Sequence, residues 1–236
     1  MPEVLGVLGG MGPLAAVDFL HKLVTLTPAQ RDQEHIPVVL WSVPQIPERP
    51  PAITDGGESP LPAMLAGVRA LKAAGAVRIA IACNTAHYWA DELQRAGGVP
   101  ILHIADAVCD ALDQRVPPGA TLGLIGTRGT IAAGFYQQRL AARGYRCITP
   151  TDEDIERLVL PAIAAVKANA LDTAAGLVRT AVERLRAAGA AAVILGCTET
   201  PVAVDHAGPA VAAQCVDATR ALAAACVAWW QARARA

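Results

Sequence analysis

Lysine is scarce in this chain. Only Lys22, Lys72 and Lys167 occur among 236 residues, and the other 17 of the 20 basic residues are arginine. Charged residues make up 17% and aromatics 4%, and the net charge is −1. The bases are scattered, so the clustered positive footprint of a nucleic-acid binder is missing. Long apolar runs are missing too. The longest candidate, Ala221–Trp230, reaches about half of the roughly 18 residues that a membrane span needs, so no membrane association is expected. The opening Met1-Pro2-Glu3 lacks the positive region of a secretory signal, and the apolar stretch after it is short and glycine-rich. Cys83, Cys109, Cys147, Cys197, Cys215 and Cys226 form no C-x-x-C and no zinc-type pairing. The expectation is a cytoplasmic protein with reduced thiols and no metal. Neither G-x-G-x-x-G nor G-x-x-x-x-G-K-[ST] occurs, which leaves no nucleotide fingerprint.

What is present is apolar substance. A hydrophobic share of 53% fills a real core and excludes a disordered chain. Short apolar runs alternate with Ala/Leu-rich helical stretches. Strands are expected at Val4–Leu8, Val38–Val43, Arg78–Ala82, Ile101–Ile104, Thr121–Ile125, Arg146–Ile148 and Ala192–Leu195. Most are continuously apolar, the pattern of strands covered on both faces. Helical periodicity marks Pro62–Ala74, Thr130–Arg143 and Asp172–Ala188, and Gly75, Gly97, Gly144 and Gly189 read as helix stops. This alternation predicts an α/β fold built on parallel sheets flanked by helices. Pro44–Pro62, with six prolines and Gly56-Gly57, reads as a long, partly rigid loop, either a functional lid or an unstructured connection.

The chain looks doubled. Gly6-Val7-Leu8-Gly9-Gly10 resembles Gly123-Leu124-Ile125-Gly126-Thr127 at an offset of 117 residues, and Ile81-Ala82-Cys83-Asn84-Thr85 resembles Leu195-Gly196-Cys197-Thr198-Glu199 at an offset of 114. Two generic α/β turns produce either match alone. Two matches at nearly one offset argue for two pseudo-symmetric lobes.

Cys83 and Cys197 each follow an apolar strand, at the carboxyl end where open α/β sheets bind ligands. Backbone N–H groups and a helix dipole at such a place favour thiolate over thiol. Pseudo-symmetry turns the two cysteines toward one interlobe cleft, which is the arrangement needed to take a proton from one face of a carbon and return one to the other. The resulting carbanion needs polar donors at its carboxylate. Candidates are the backbone of Gly9–Gly12, including Gly10 and Met11, then Asn84, Thr85, Thr127, Thr130 and Thr198. Cys109 and Cys226 fall in Ala-rich helices and Cys147 in a strand, where a thiol is ordinarily a small core residue.

With these residues assembled, the chain resembles the aspartate/glutamate racemase superfamily, most closely its aspartate-racemase branch. The matching pieces are GVLGGMGPLAAVDF (Gly6–Phe19), RDQEHIP (Arg31–Pro37), PQIPER (Pro44–Arg49), ACNTAHY (Ala82–Tyr88), GTRGTI (Gly126–Ile131), VKANAL (Val166–Leu171) and LGCTETP (Leu195–Pro201). The resemblance implies a racemase without a cofactor, with two α/β lobes and the active site between them. It implies a first lobe of residues 1–98 plus 212–236, the latter a returning helix at about 217–235, a second lobe of 99–211, and a homodimer. It makes Cys83 and Cys197 the acid/base pair. Arg49 and Lys167 match a pair that holds the side-chain carboxylate of aspartate, and Gln45 lies in the same PQIPER segment. Asn84, Thr85, Thr127 and Thr198 match positions around the α-carboxylate and amino group, and Glu199 an acidic residue beside the second thiol. Three features depart from cell-wall glutamate racemases: Gly9-Gly10 where those carry an acidic residue, Glu199 where they carry histidine, and the PQIPER segment, which they lack.

Plainer roles stand beside these. Arg49 reads equally as a surface arginine, Lys167 as a cation at a helix end, and His87 as a partly buried histidine with its ring nitrogens satisfied. Trp229 and Trp230 read as packing on a helix or dimer surface, and Asp106 and Asp110 lie one helical turn apart without further metal ligands. The competing functions are a sibling isomerase or decarboxylase on another carboxylic acid, a non-catalytic binder of an acidic amino acid, and a thiol redox sensor. A pyridoxal enzyme needs a Schiff-base lysine, and only three lysines are available.

Overall fold

The first four strands are β1 (Val4–Gly9), β2 (Val38–Ser42), β3 (Ala76–Ile81) and β4 (Ile101–Leu102). They form a parallel sheet in the order β2-β1-β3-β4. The next four, β5 (Thr121–Ile125), β6 (Arg146–Ile148), β7 (Ala192–Leu195) and β8 (Cys215–Asp217), form a second parallel sheet in the order β6-β5-β7-β8. The two orders are the same, so the repeat visible in the sequence is a repeat of topology: β1 corresponds to β5 and β3 to β7. The computed structural model describes residues 3–234. Met1, Pro2 and the expected helix end at Arg235 lie outside them.

The first lobe carries α1 (Pro13–Leu26), α2 (Arg49–Thr54), α3 (Leu61–Ala73), a 3-10 turn at Thr85–Trp89 and α4 (Ala90–Gly97). Helix α5 (Ile104–Asp113) crosses to the second lobe, which adds α6 (Arg128–Ala133), α7 (Phe135–Ala142), α8 (Asp152–Asp154), α9 (Leu160–Lys167), α10 (Leu171–Ala187), α11 (Thr200–Ala207) and α12 (Pro209–Ala212). Helix α13 (Ala218–Ala234) follows β8 and packs on α1 and α5.

The core explains why the lobes hold together. Leu5 and Val7 of β1, Phe19 of α1, Val108 of α5, Leu122 and Leu124 of β5, Tyr136 of α7 and Leu222 of α13 belong to one buried apolar cluster. Two further clusters fill the outer side of each lobe, one around Met64, Val68 and Ile79, the other around Val178, Val182 and Val193. Near-continuous burial of β1 and β7 accounts for their unbroken apolar sequences, whereas β3 carries a half-buried Arg78.

Several expectations are corrected. β8 is an additional strand, too short at three residues to stand out from the helix signals around it. It joins the second sheet, and β4 joins the first. The helix expected at Thr130–Arg143 is two helices, broken at Gly134, whose φ is +70°. The stop expected at Gly97 falls on Gly98, the residue in the left-handed conformation. Pro44–Pro62 is not wholly a loop. It contains α2, because Pro50 and Pro51 occupy the first turn, where a missing N–H costs nothing.

Candidate active site

Every central strand of both sheets sends its carboxyl end to one cleft. β1 leads to Gly10–Gly12, β3 to Cys83-Asn84-Thr85, β5 to Thr127 and β7 to Cys197-Thr198-Glu199. Arg49 at the start of α2 and Lys167 at the end of α9 close the two sides. Gly10 makes the first turn possible. Its φ is +88°, and a Cβ there would lie 2.4 Å from the backbone nitrogen of Val43.

Both thiols are buried. Burial pushes the Cys83 thiol up from its ordinary value, and the Arg49 guanidinium and the backbone N–H of Ala86 oppose that shift. Cys197 is pushed well above its ordinary value, by burial first and then by the carboxylate of Glu199. Its Sγ donates to Oε2 of Glu199 at 3.0 Å, and Thr198 Oγ1 donates to the same oxygen at 3.3 Å. The strand-end position alone predicts lowered thiols. The structure reverses this, because desolvation of the charged form outweighs the nearby N–H groups.

Arg49 is held by backbone carbonyls. Nη1 donates to Ile46 O at 3.1 Å and to Pro47 O at 2.9 Å, and Nη2 donates to Met11 O at 3.2 Å. Its Nε is buried without a partner, and no carboxylate lies within ion-pair range among the described residues. A cation fixed this way and left unneutralised is a seat for an anion. Lys167 lines the same cleft and also lacks an ion-pair partner among the described residues.

Three hydroxyls join the lobes. Thr85 Oγ1 lies 2.7 Å from Thr130 Oγ1 and 3.1 Å from Thr127 Oγ1, and the latter two lie 3.1 Å apart. Thr127 also caps α6 by accepting from the N–H of Thr130 at 3.2 Å. Below the cleft, His87 donates from Nδ1 to the carbonyl of Cys83 at 2.9 Å, which fixes the backbone under the first thiol. Burial lowers the His87 pKa to about 4, so the ring is neutral.

Residues 8–226 match the Asp/Glu/hydantoin racemase family. The chain belongs to that family, and by class it is an amino-acid racemase. It is 29% identical over 210 residues to the broad specificity amino-acid racemase RacX of Bacillus subtilis, covering 86% of this chain and 88% of that one. Among solved structures, the aspartate racemase of Picrophilus torridus superposes with a TM-score of 0.80 at 30% identity, covering 95% of this chain and 92% of that one. An aspartate racemase homologue from Pyrococcus horikoshii gives a TM-score of 0.73 at 26% identity, over 94% and 96% of the two chains.

The racemase brings most of the sequence-derived residues together. Met11, Arg49, Cys83, Asn84, Thr85, Thr127, Lys167, Cys197, Thr198 and Glu199 line the cleft, and Gly10 lines its outer extension. Two stand apart. Gln45 is exposed and outside the cleft, because the chain turns so that Ile46 is buried and Arg49 faces inward. Thr130 is fully buried behind Thr85 and Thr127 and reaches the cleft only through them. His87 is fully buried with one ring nitrogen, Nε2, unpartnered. Trp229 lies away from the site, with the guanidinium groups of Arg78 and Arg233 each 5.6 Å from its ring. Asp106 and Asp110 pair with Arg139 and Arg143. The sequence reading missed Glu48, Pro50 and Ile163 in the lining. Glu48 sits inside the PQIPER segment and was within reach of it, whereas Ile163 carries no signal beyond helical periodicity.

Proposed function

We propose that this racemase interconverts L- and D-aspartate, with glutamate as the next candidate, by two-thiol proton transfer at Cα. The observation that carries the reading is the unneutralised, carbonyl-pinned Arg49 in the cleft that holds both Cys83 and Cys197. Arg49 and Lys167 take the side-chain carboxylate. Asn84, Thr85, Thr127 and Thr198 take the α-carboxylate and ammonium.

In one direction, the Cys83 thiolate, favoured by Arg49 and the Ala86 N–H, accepts the α-proton. The Cys197 thiol, held by Glu199, delivers its own proton to the opposite face of Cα. Cys83 ends as thiol and Cys197 as thiolate, which is the starting state for the reverse direction. Hydrogen-bond donors at the α-carboxylate carry the charge that develops there.

The test is incubation with L-aspartate in D₂O without added cofactor. Proton NMR follows loss of the α-hydrogen and chiral chromatography follows D-aspartate. Deuterium entry with D-product, abolished in Cys83→Ala and Cys197→Ala, is expected. No exchange with aspartate or glutamate overturns the substrate assignment. Arg49→Ala should remove turnover of aspartate while leaving that of alanine.

A broader substrate range has its own support. The cleft widens into a second cavity walled by Leu14, Ile46 and Val166, which offers room and apolar surface to a larger side chain. A panel of neutral amino acids assayed for α-hydrogen exchange separates the two. A homodimer is part of this proposal as well. Leu14, Val17 and Val24 leave an exposed apolar stripe along α1, and light scattering in solution tests it. Six unpaired cysteines fit a reducing cytoplasm.

A further inference from the structure

Asn84 presents an incomplete hydrogen-bond account. It is 2% exposed, and its Oδ1 accepts from the hydroxyl of Tyr136 at 2.6 Å. Its Nδ2 has no partner, although the side chain lines the cleft. A buried amide N–H₂ without an acceptor costs free energy unless something arrives to take it. The orientation of the amide is not free. The Tyr136 hydroxyl is fully buried, and Asn84 is the acceptor it has. Turning the amide over would leave both the phenol proton and the amide oxygen unsatisfied.

We infer that Tyr136 is a positioning residue of the racemase: its hydroxyl, reaching from α7 in the second lobe, holds the Oδ1 of Asn84 so that Nδ2 faces the cleft as a donor to the substrate's α-carboxylate. Burial keeps the Tyr136 pKa well above its ordinary value, so the hydroxyl remains a donor across the working pH range. Asn84 belongs to the first lobe, in the turn after β3 that carries Cys83. The bond therefore crosses the lobe boundary, and the donor is aimed only while the two lobes stand in this relation. Phe135, the neighbour of Tyr136, packs edge-on to His103 with centroids 5.4 Å apart, and His103 in turn lies 4.8 Å from His87. The ring of Tyr136 thus sits in packed surroundings that survive loss of its oxygen.

The chemical role rests on the racemase reading above, so the experiment has one arm that does not depend on turnover. In ¹⁵N-labelled, ligand-free protein, the Asn84 side-chain amide is assigned by its disappearance in Asn84→Ala. In Tyr136→Phe its two protons should shift, and their exchange with solvent should rise at least tenfold. An unchanged amide overturns the inference. In the second arm, Tyr136→Phe should lower kcat/KM on the racemised substrate at least tenfold, and the same substitution in an Asn84→Ala background should lower it less than twofold. A full loss that persists without Asn84 assigns Tyr136 a general packing role and overturns the inference. If wild-type protein racemises no amino acid, the functional reading fails and the amide spectrum alone decides the role of Tyr136.

Discussion

Cys197 donates its thiol hydrogen to Glu199 across 3.0 Å in the interlobe cleft, where both side chains are buried. The other thiol has no such neighbour. Cys83 has the Arg49 guanidinium beside it, which pulls its pKa down against the upward push of burial. The two cysteines occupy equivalent positions in the repeated topology, and the charges next to them have opposite sign. Burial raises both thiols above their ordinary value, and the neighbouring charges make Cys83 the easier of the two to deprotonate.

Replacing Glu199 by glutamine removes the negative charge and keeps the shape. In a Cys83→Ser background, Glu199→Gln should make Cys197 react faster with iodoacetamide at pH 8. The increase should be on the order of tenfold, the thiolate gain expected for one pKa unit. Peptide mass spectrometry reads the modified site. An equal or slower rate would mean that Glu199 does not hold the thiol proton.

Gly129 marks the closest approach of α6 to the segment that carries Arg49. A Cβ there would lie 2.7 Å from Cα of Pro50 and 3.2 Å from Cγ2 of Thr85. Gly129→Ala must push α2 outward and carry Arg49 with it. Stability should fall by about 1–3 kcal/mol, the usual cost of overpacking. KM for aspartate should rise on the order of tenfold, since small misplacements of binding groups are expensive. Calorimetry and initial rates check the two effects, and a stability loss with unchanged KM would separate Gly129 from the site.

Much of this was open to reading from local patterns. The Gly-rich turns and the cysteines after β3 and β7 are short motifs at strand ends, and their two offsets announced the repeated topology that the sheet orders show. What stayed hidden depends on contacts between distant residues. The raised thiols follow from burial, which no neighbouring residue in the chain reveals. The bond from Tyr136 to Asn84 spans 52 positions. Gln45 and Arg49 both belong to one motif, and only the path of the backbone sends one out and the other in. Lys22 gave no sign of being buried between two aspartates.

Acid should weaken the fold through two histidines. Burial lowers His87 to about 4 and His103 to about 2, from an ordinary 6.5. Below pH 6.5 the unfolded chain binds protons that the folded chain refuses, so stability is lost as pH falls from 6.5 toward those values. At pH 5 each histidine contributes a loss on the order of 2 kcal/mol. His103 also caps α5, accepting from the N–H of Ala105 through Nδ1 at 3.2 Å. Asparagine keeps a cap acceptor and does not titrate. His103→Asn should thus lose about half as much stability as wild type between pH 7 and pH 5, whatever its stability at pH 7. Parallel denaturant titrations at the two pH values decide this, and equal losses would show that His103 is not held neutral.

Lys22 ties the start of the first lobe to the end of the second sheet. Nζ lies 2.6 Å from Asp18 of α1 and 2.7 Å from Asp217 at the end of β8, with the lysine 7% exposed. Burial lowers the pKa of Lys22, the two carboxylates more than restore it, and the net shift is upward. Its stabilising contribution is therefore complete below the unfolded value of 10.5 and is lost only as pH rises through the higher folded value. Removing the cation strands two partly buried carboxylates, so Lys22→Met should cost on the order of 3 kcal/mol. For a chain of this size that corresponds to a fall in Tm of roughly 10 °C. Since α1 begins at the Gly-rich turn of the cleft, turnover should fall along with it. Adding Asp18→Asn to Lys22→Met relieves one stranded charge and should recover part of the lost Tm. A single variant that melts like wild type would leave the α1–β8 contact to apolar packing alone.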